Sequence, residues 1–138
     1  MLRRVRPRPS VLTALLALAL TGCGDSGASD ETQIRGTLAE FQRATAAEDY
    51  TALCDRVLAA KLVDTVEQIG LPCETALAKG FEDVRDPRIS VGTVTIEGDT
   101  ATAQVRSSAA GQEPSEDTVE LVRVGDGWRV ASLGGAGP

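Results

Sequence analysis

The spacing of apolar residues changes character several times along this chain. After a basic opening with Arg3, Arg4, Arg6 and Arg8 comes a largely apolar run, Val11 to Leu20, and then a small polar stretch, Gly24 to Ser29. From Ile34 the spacing becomes helical, with Ile34, Leu38, Phe41 and Thr45 on one face. This predicts a first helix over about Glu31 to Ala47, opened by a capping-box pattern of Asp30 with Gln33. Glu48-Asp49-Tyr50 breaks the period, and Asp49 is placed to cap a second helix carrying Leu53, Cys54, Val57 and Leu58. The same pattern runs on through Leu62, Val63, Val66 and Ile69, after a kink, until Gly70. Pro72 suits the start of a third helix, where a missing N–H costs nothing, with Ala76, Leu77 and Phe81 inward and an end near Asp83.

Beyond Asp86-Pro87 the period drops to two. Arg88 to Glu97 reads as a strand whose inward pairs, Ile89 with Val91 and Val94 with Ile96, are out of phase. Gly92 between them marks a bulge. Gly98-Asp99 is a tight turn into a return strand, Thr100 to Ser108, with Ala101, Ala103 and Val105 inward. A polar loop, Ala109 to Asp117, leads to a second hairpin, Thr118 to Val124 and Trp128 to Leu133, about Gly125-Asp126-Gly127. The expected fold is α+β, N-terminal helices packed on a curved four-stranded antiparallel sheet, because only the helices are available to cover one sheet face.

The first 22 residues have the order of a secretory signal: basic residues, a short apolar run, small residues before a cut. A membrane-spanning helix needs about 20 apolar residues, and Val11 to Leu20 is too short for that. Leu20-Thr21-Gly22-Cys23 resembles the lipobox of bacterial lipoproteins, which implies cleavage before Cys23 and a diacylglycerol, with palmitate-type chains, on its thiol. Buried methylenes contribute about 0.8 kcal/mol each, so paired chains hold a protein on a bilayer. The expected parts are a signal peptide at 1–22, a lipidated cysteine and flexible tether at 23–30, one domain at 31–133, and a disordered tail at 134–138. The expected location is the extracytoplasmic face of the cell membrane, with the lipid bilayer as a partner through Cys23.

Removing residues 1 to 22 takes away four arginines and no acid, leaving ten basic residues against twenty acidic ones, a net charge of about −10. Nucleic acids and anionic headgroups want Lys and Arg patches, so no nucleic-acid partner is expected. Histidine is absent, which removes the most common acid–base group and metal ligand. No nucleophile elbow, phosphate-cradling loop or calcium loop occurs, and neither a metal nor a cofactor is expected.

Cys54 and Cys73 remain once Cys23 is modified. Export favours a disulfide, which would close a loop of roughly 20 residues and contribute about 3 kcal/mol in the chain-entropy model. Two free buried thiols are the alternative, and a zinc site would need further ligands.

The three helices, the acidic-aromatic break and the meander ending in Gly-Asp-Gly-Trp-Arg-Val resemble the NTF2-like (SnoaL-like, cystatin-like) superfamily. More narrowly, the chain resembles its small exported lipoproteins from GC-rich bacteria. The matching stretches are Ile34 to Tyr50, Cys54, Cys73, the segment Val94-Thr95-Ile96-Glu97-Gly98-Asp99-Thr100-Ala101, and Gly125 to Val130. The resemblance implies a cone with an apolar pocket at its wide end, and Phe41, Tyr50 and Trp128 are candidates to line it. Some relatives carry an Asp–His or Tyr–Asp proton-transfer pair there; the candidates here are Asp49 and Tyr50, whose competing readings are a helix cap and a core ring. The expected function is a non-enzymatic, membrane-anchored module binding a small apolar ligand or an envelope partner protein. The alternatives are a divergent enzyme using Asp49 and Tyr50, or a passive accessory subunit of an envelope assembly.

Overall fold

A computed structural model describes residues 26–134, with side chains from Ser29 onward. The signal segment 1–22, Cys23, Gly24, Asp25 and the tail residues 135–138 lie outside the described residues. Helix α1 spans Ser26–Ala46, so the polypeptide is already helical over residues expected to belong to the tether. Asp30 consequently sits a turn inside the helix rather than capping it. The helix buries Ile34, Leu38, Phe41 and Ala44, and Glu48 in the left-handed region (φ 56°) ends it. That reversal lets the Asp49 N–H bond the Ala44 carbonyl at 2.9 Å.

Asp49 then caps the short helix α2, Tyr50–Ala52, by accepting from the Ala52 N–H at 3.0 Å. A π-helical turn, Leu53–Val57, follows directly and ends with the Leu58 N–H on the Leu53 carbonyl at 2.9 Å. The long apolar helix expected through Ile69 is interrupted at this point. Leu58 turns extended and bridges in parallel to Val130, and the Ala59 N–H meets the Val130 carbonyl at 2.7 Å. An edge strand has unpaired polar groups, and satisfying those of Val130 outweighs the helical period here. Helix α3, Ala60–Glu67, and helix α4, Cys73–Gly80, complete the helical layer, with Pro72 as the residue before α4 rather than its first turn.

Four strands make an antiparallel meander in sequence order: β1 Arg88–Glu97, β2 Thr100–Ser108, β3 Ser115–Val124 and β4 Gly127–Ser132. Val91 faces Val105 and Val94 faces Ala103, so β1 holds one residue more than β2 between those pairs. This is the bulge expected at Gly92, and it restores Val94 and Ile96 to the inner face. Arg35 on α1 fastens it, its guanidinium donating to the Val91 and Gly92 carbonyls at 2.9 and 2.8 Å. Ala101, Ala103, Val105, Val119, Leu121 and Val130 form the inner face of the sheet, against Ile34, Leu38, Leu53 and Leu58. Cys54 and Cys73 are joined in a disulfide that ties the π-helical turn to α4.

Candidate functional site

Because the strands form a meander, the sheet has two distinct ends, and α1 runs between them. At one end lie the start of β1, the end of β2 and the start of β3, and there the helices leave a cavity of about 250 Å³. Its walls are chiefly apolar: Leu38 and Phe41 from α1, Phe81 and Val84 after α4, Ile89 from β1 and Val105 from β2. Two polar side chains of α1 in this lining are already engaged. Gln42 Oε1 accepts the Ile89 N–H at 2.6 Å, and the Thr45 hydroxyl donates to the Phe41 carbonyl at 2.8 Å. Ser115 at the rim donates to Asp117 at 2.8 Å. Cavities of about 150 Å³ admit benzene, and drug-sized ligands occupy about 300–1,000 Å³. The space between those limits suits a compact apolar molecule. A wider depression of about 610 Å³ lies on the solvent face of the sheet, but Thr95, Thr102, Gln104 and Arg106 line it as a shallow polar surface.

The opposite end is filled by charge. Asp30 accepts from Arg123 Nη1 and Nη2 at 2.9 and 2.7 Å, and Trp128 Nε1 lies 3.3 Å from the same carboxylate. The guanidinium sits 4.5 Å over the centroid of the Trp128 ring and also donates to Asp99 at 3.1 Å. Hydrogen bonding from Arg123 holds the Asp30 carboxyl below its ordinary value of 3.8, against the opposing effect of burial, with Trp128 adding to the lowering. The same bonds raise the Arg123 guanidinium. A fully paired buried carboxylate of this kind positions α1 on the sheet.

Of the three residues offered as pocket lining, Phe41 is in the cavity wall and Tyr50 and Trp128 are not. Tyr50 stacks on Phe81, 6.5 Å between centroids and 10° between planes, and Phe81 in turn meets Phe41 edge-on at 6.1 Å. Tyr50 therefore stands behind the cavity wall, and Trp128 is buried in the cluster with Asp30. Asp49 is exposed and committed to capping α2. Neither Asp49 nor Tyr50 lines the cavity by Phe41, and the Asp49 carboxylate is engaged with the Ala52 N–H instead. Among the described residues no group of three or more Cys, Asp or Glu side chains converges to hold a metal. No described helix is long and apolar enough to cross a membrane. Sequence reasoning missed Phe81, Val84 and Ile89 as wall residues: Phe81 and Ile89 carried only the apolar signal of elements already assigned to the core, and Val84 falls between two assigned elements.

Neither a protein-family model nor a curated protein matches the chain. Among solved structures it is similar to an NTF-2 like protein of unknown function from Silicibacter pomeroyi DSS-3, with a TM-score of 0.56 and 17% identity over 76% of this chain and 92% of that one. The fold is NTF2-like. The helices lie across the inner face of the meander, and the cavity by Phe41 lies at one end of it. At that level of identity the likeness concerns architecture and says nothing of a ligand.

Proposed function

We propose that the chain is an exported lipoprotein, anchored through Cys23 at the extracytoplasmic face of the membrane. Its NTF2-like domain acts as a non-enzymatic binding module for a small apolar ligand held in the cavity by Phe41. The cavity of about 250 Å³ walled by Leu38, Phe41, Phe81, Val84, Ile89 and Val105 carries this reading. Its inner wall is apolar, and Gln42 and Thr45 beside it are already bonded to backbone groups, which favours burial of hydrocarbon there. The signal pattern before Cys23 supports the anchor.

Two measurements test the parts separately. Intact-mass analysis of the membrane-extracted protein gives a chain starting at Cys23 with the added lipid mass, and Cys23→Ala moves the protein out of the membrane fraction. An unmodified amino terminus, or a Cys23→Ala chain still held at the membrane, contradicts the anchor. Native mass spectrometry of the extracted protein finds a bound small molecule; bare protein alone contradicts the binding role. An envelope protein as occupant of a different surface is the second reading. It is favoured by α3, which buries no residue fully and leads to Ile69, 68% exposed.

A further inference from the structure

Cys23 precedes the start of α1 by three residues in the sequence, and the cavity lies by the far end of that helix. From that arrangement we propose that the cavity mouth faces away from the bilayer, so that its ligand is exchanged with the aqueous side of the envelope and not with the membrane. This inference rests on lipidation at Cys23. Three residue steps separate Cys23 from Ser26, and at no more than about 3.6 Å each they limit the Cα of the lipid-bearing residue to within about 11 Å of the start of α1. The helix itself, Ser26–Ala46, extends for about 31 Å. Phe41 and Thr45, which line the cavity, lie near its far end.

The helix is fastened to the sheet at both ends and cannot swing independently. Near its start Asp30 holds Arg123 and Trp128, and near its end Gln42 holds the Ile89 N–H. The domain therefore turns on its anchor as one body. Its anchored end carries Glu97 and Asp99 at the β1–β2 turn, Asp126 at the β3–β4 turn, and Asp30, with Arg123 already shared between Asp30 and Asp99. Both arginines of α1 are paired as well, Arg35 with Glu31 and Arg43 with Glu40, so the helix flank has no spare cation for a headgroup. Anionic lipids repel such a surface over a Debye length of about 8 Å at physiological ionic strength. Repulsion along the flank and a short link at one end together set the domain upright, with the cavity outermost.

Cys54 and Cys73 are joined and Cys23 carries lipid in this reading, so one introduced cysteine is the sole reactive thiol. Glu113→Cys places a fluorophore at the cavity rim, and Asp126→Cys places one at the opposite turn; both positions are exposed. The lipidated full-length variants are added to phosphatidylcholine–phosphatidylglycerol vesicles containing a nitroxide-headgroup lipid. The expected result is loss of most fluorescence from the Asp126→Cys probe and little from the Glu113→Cys probe. Equal quenching, or stronger quenching at the rim, in protein that floats with the vesicles overturns the orientation while leaving the anchor intact. Protein that fails to float and has the mass of the unlipidated chain overturns the anchor and this inference together.

Discussion

Asp30 of α1 and Arg123 of β3, 93 residues apart, form a two-pronged ion pair at 2.9 and 2.7 Å under which Trp128 supplies a ring face and an N–H. The pair ties the first turns of α1 to β3 and β4, and the other end of that helix walls the cavity.

The carboxyl of Asp30 is held below its ordinary value, so the folded protein binds fewer protons there than the unfolded chain does. The stabilisation is present above the unfolded value of about 3.9 and is lost as pH falls through the folded value. Asp30→Asn is expected to lower Tm at pH 7 and to flatten the fall in Tm on acidification below about pH 4. Asp30→Ala is expected to destabilise further, because it leaves the Trp128 N–H and the Arg123 fork without a carboxylate oxygen. Thermal unfolding of the three proteins between pH 7 and pH 3 checks this. Parallel curves for wild type and Asp30→Asn would show that the pair contributes nothing to the acid dependence.

The disulfide between Cys54 and Cys73 encloses a sequence separation of 19 residues. Its removal by Cys54→Ala with Cys73→Ala is expected to cost about 3 kcal/mol, read as a lower urea midpoint. Both sulfurs belong to buried residues, so reductant is expected to act on the wild type only as it unfolds.

Leu121 is fully buried at the centre of the inner sheet face, whereas Ile69 is 68% exposed. Leu121→Ala is expected to cost about 2–5 kcal/mol through lost contacts and a residual cavity. Ile69→Ala is expected to stay within about 0.5 kcal/mol. Chemical denaturation of both variants tests the assignment of core and surface.

Arg35 bridges α1 to the bulge through the Val91 and Gly92 carbonyls while pairing with Glu31. Replacement by methionine keeps the stem and is expected to cost roughly 1 kcal/mol, given the partial exposure of the site. Amide exchange should rise in β1 around Val91 to Val94 and stay unchanged in β3. Uniform change across the sheet would contradict a local clamp.

The strands were legible because their period is local. Arg88–Glu97 and Thr100–Ser108 have the bounds expected from alternation, and the phase slip around Gly92 located the bulge before any partner was known. Asp49 as a cap was legible for the same reason, since its bond spans three residues. Contacts such as Asp30 with Arg123, or Arg35 with the bulge 56 residues away, leave no periodic trace. Asp30 even looked like a cap, because acid followed by Gln33 satisfies that pattern wherever the helix begins. The break at Leu58 was hidden differently: Leu58 and Ala59 are apolar and suit a helix face, yet the open edge of β4 captures their backbone. The cavity wall escaped notice because an apolar side chain facing a hollow and one facing a filled core look alike in sequence.

The central claim is that the cavity by Phe41 is an occupied apolar site, and native mass spectrometry of membrane-extracted wild type beside Ile89→Trp tests it most directly. Ile89 lines the cavity and is half-buried, so an indole there takes up the space while leaving the backbone bond to Gln42 in place. With Tm confirming that both proteins fold, the account predicts a small apolar molecule bound to the wild type and absent from Ile89→Trp. Equal occupancy of the two, or bare protein in both, would contradict it.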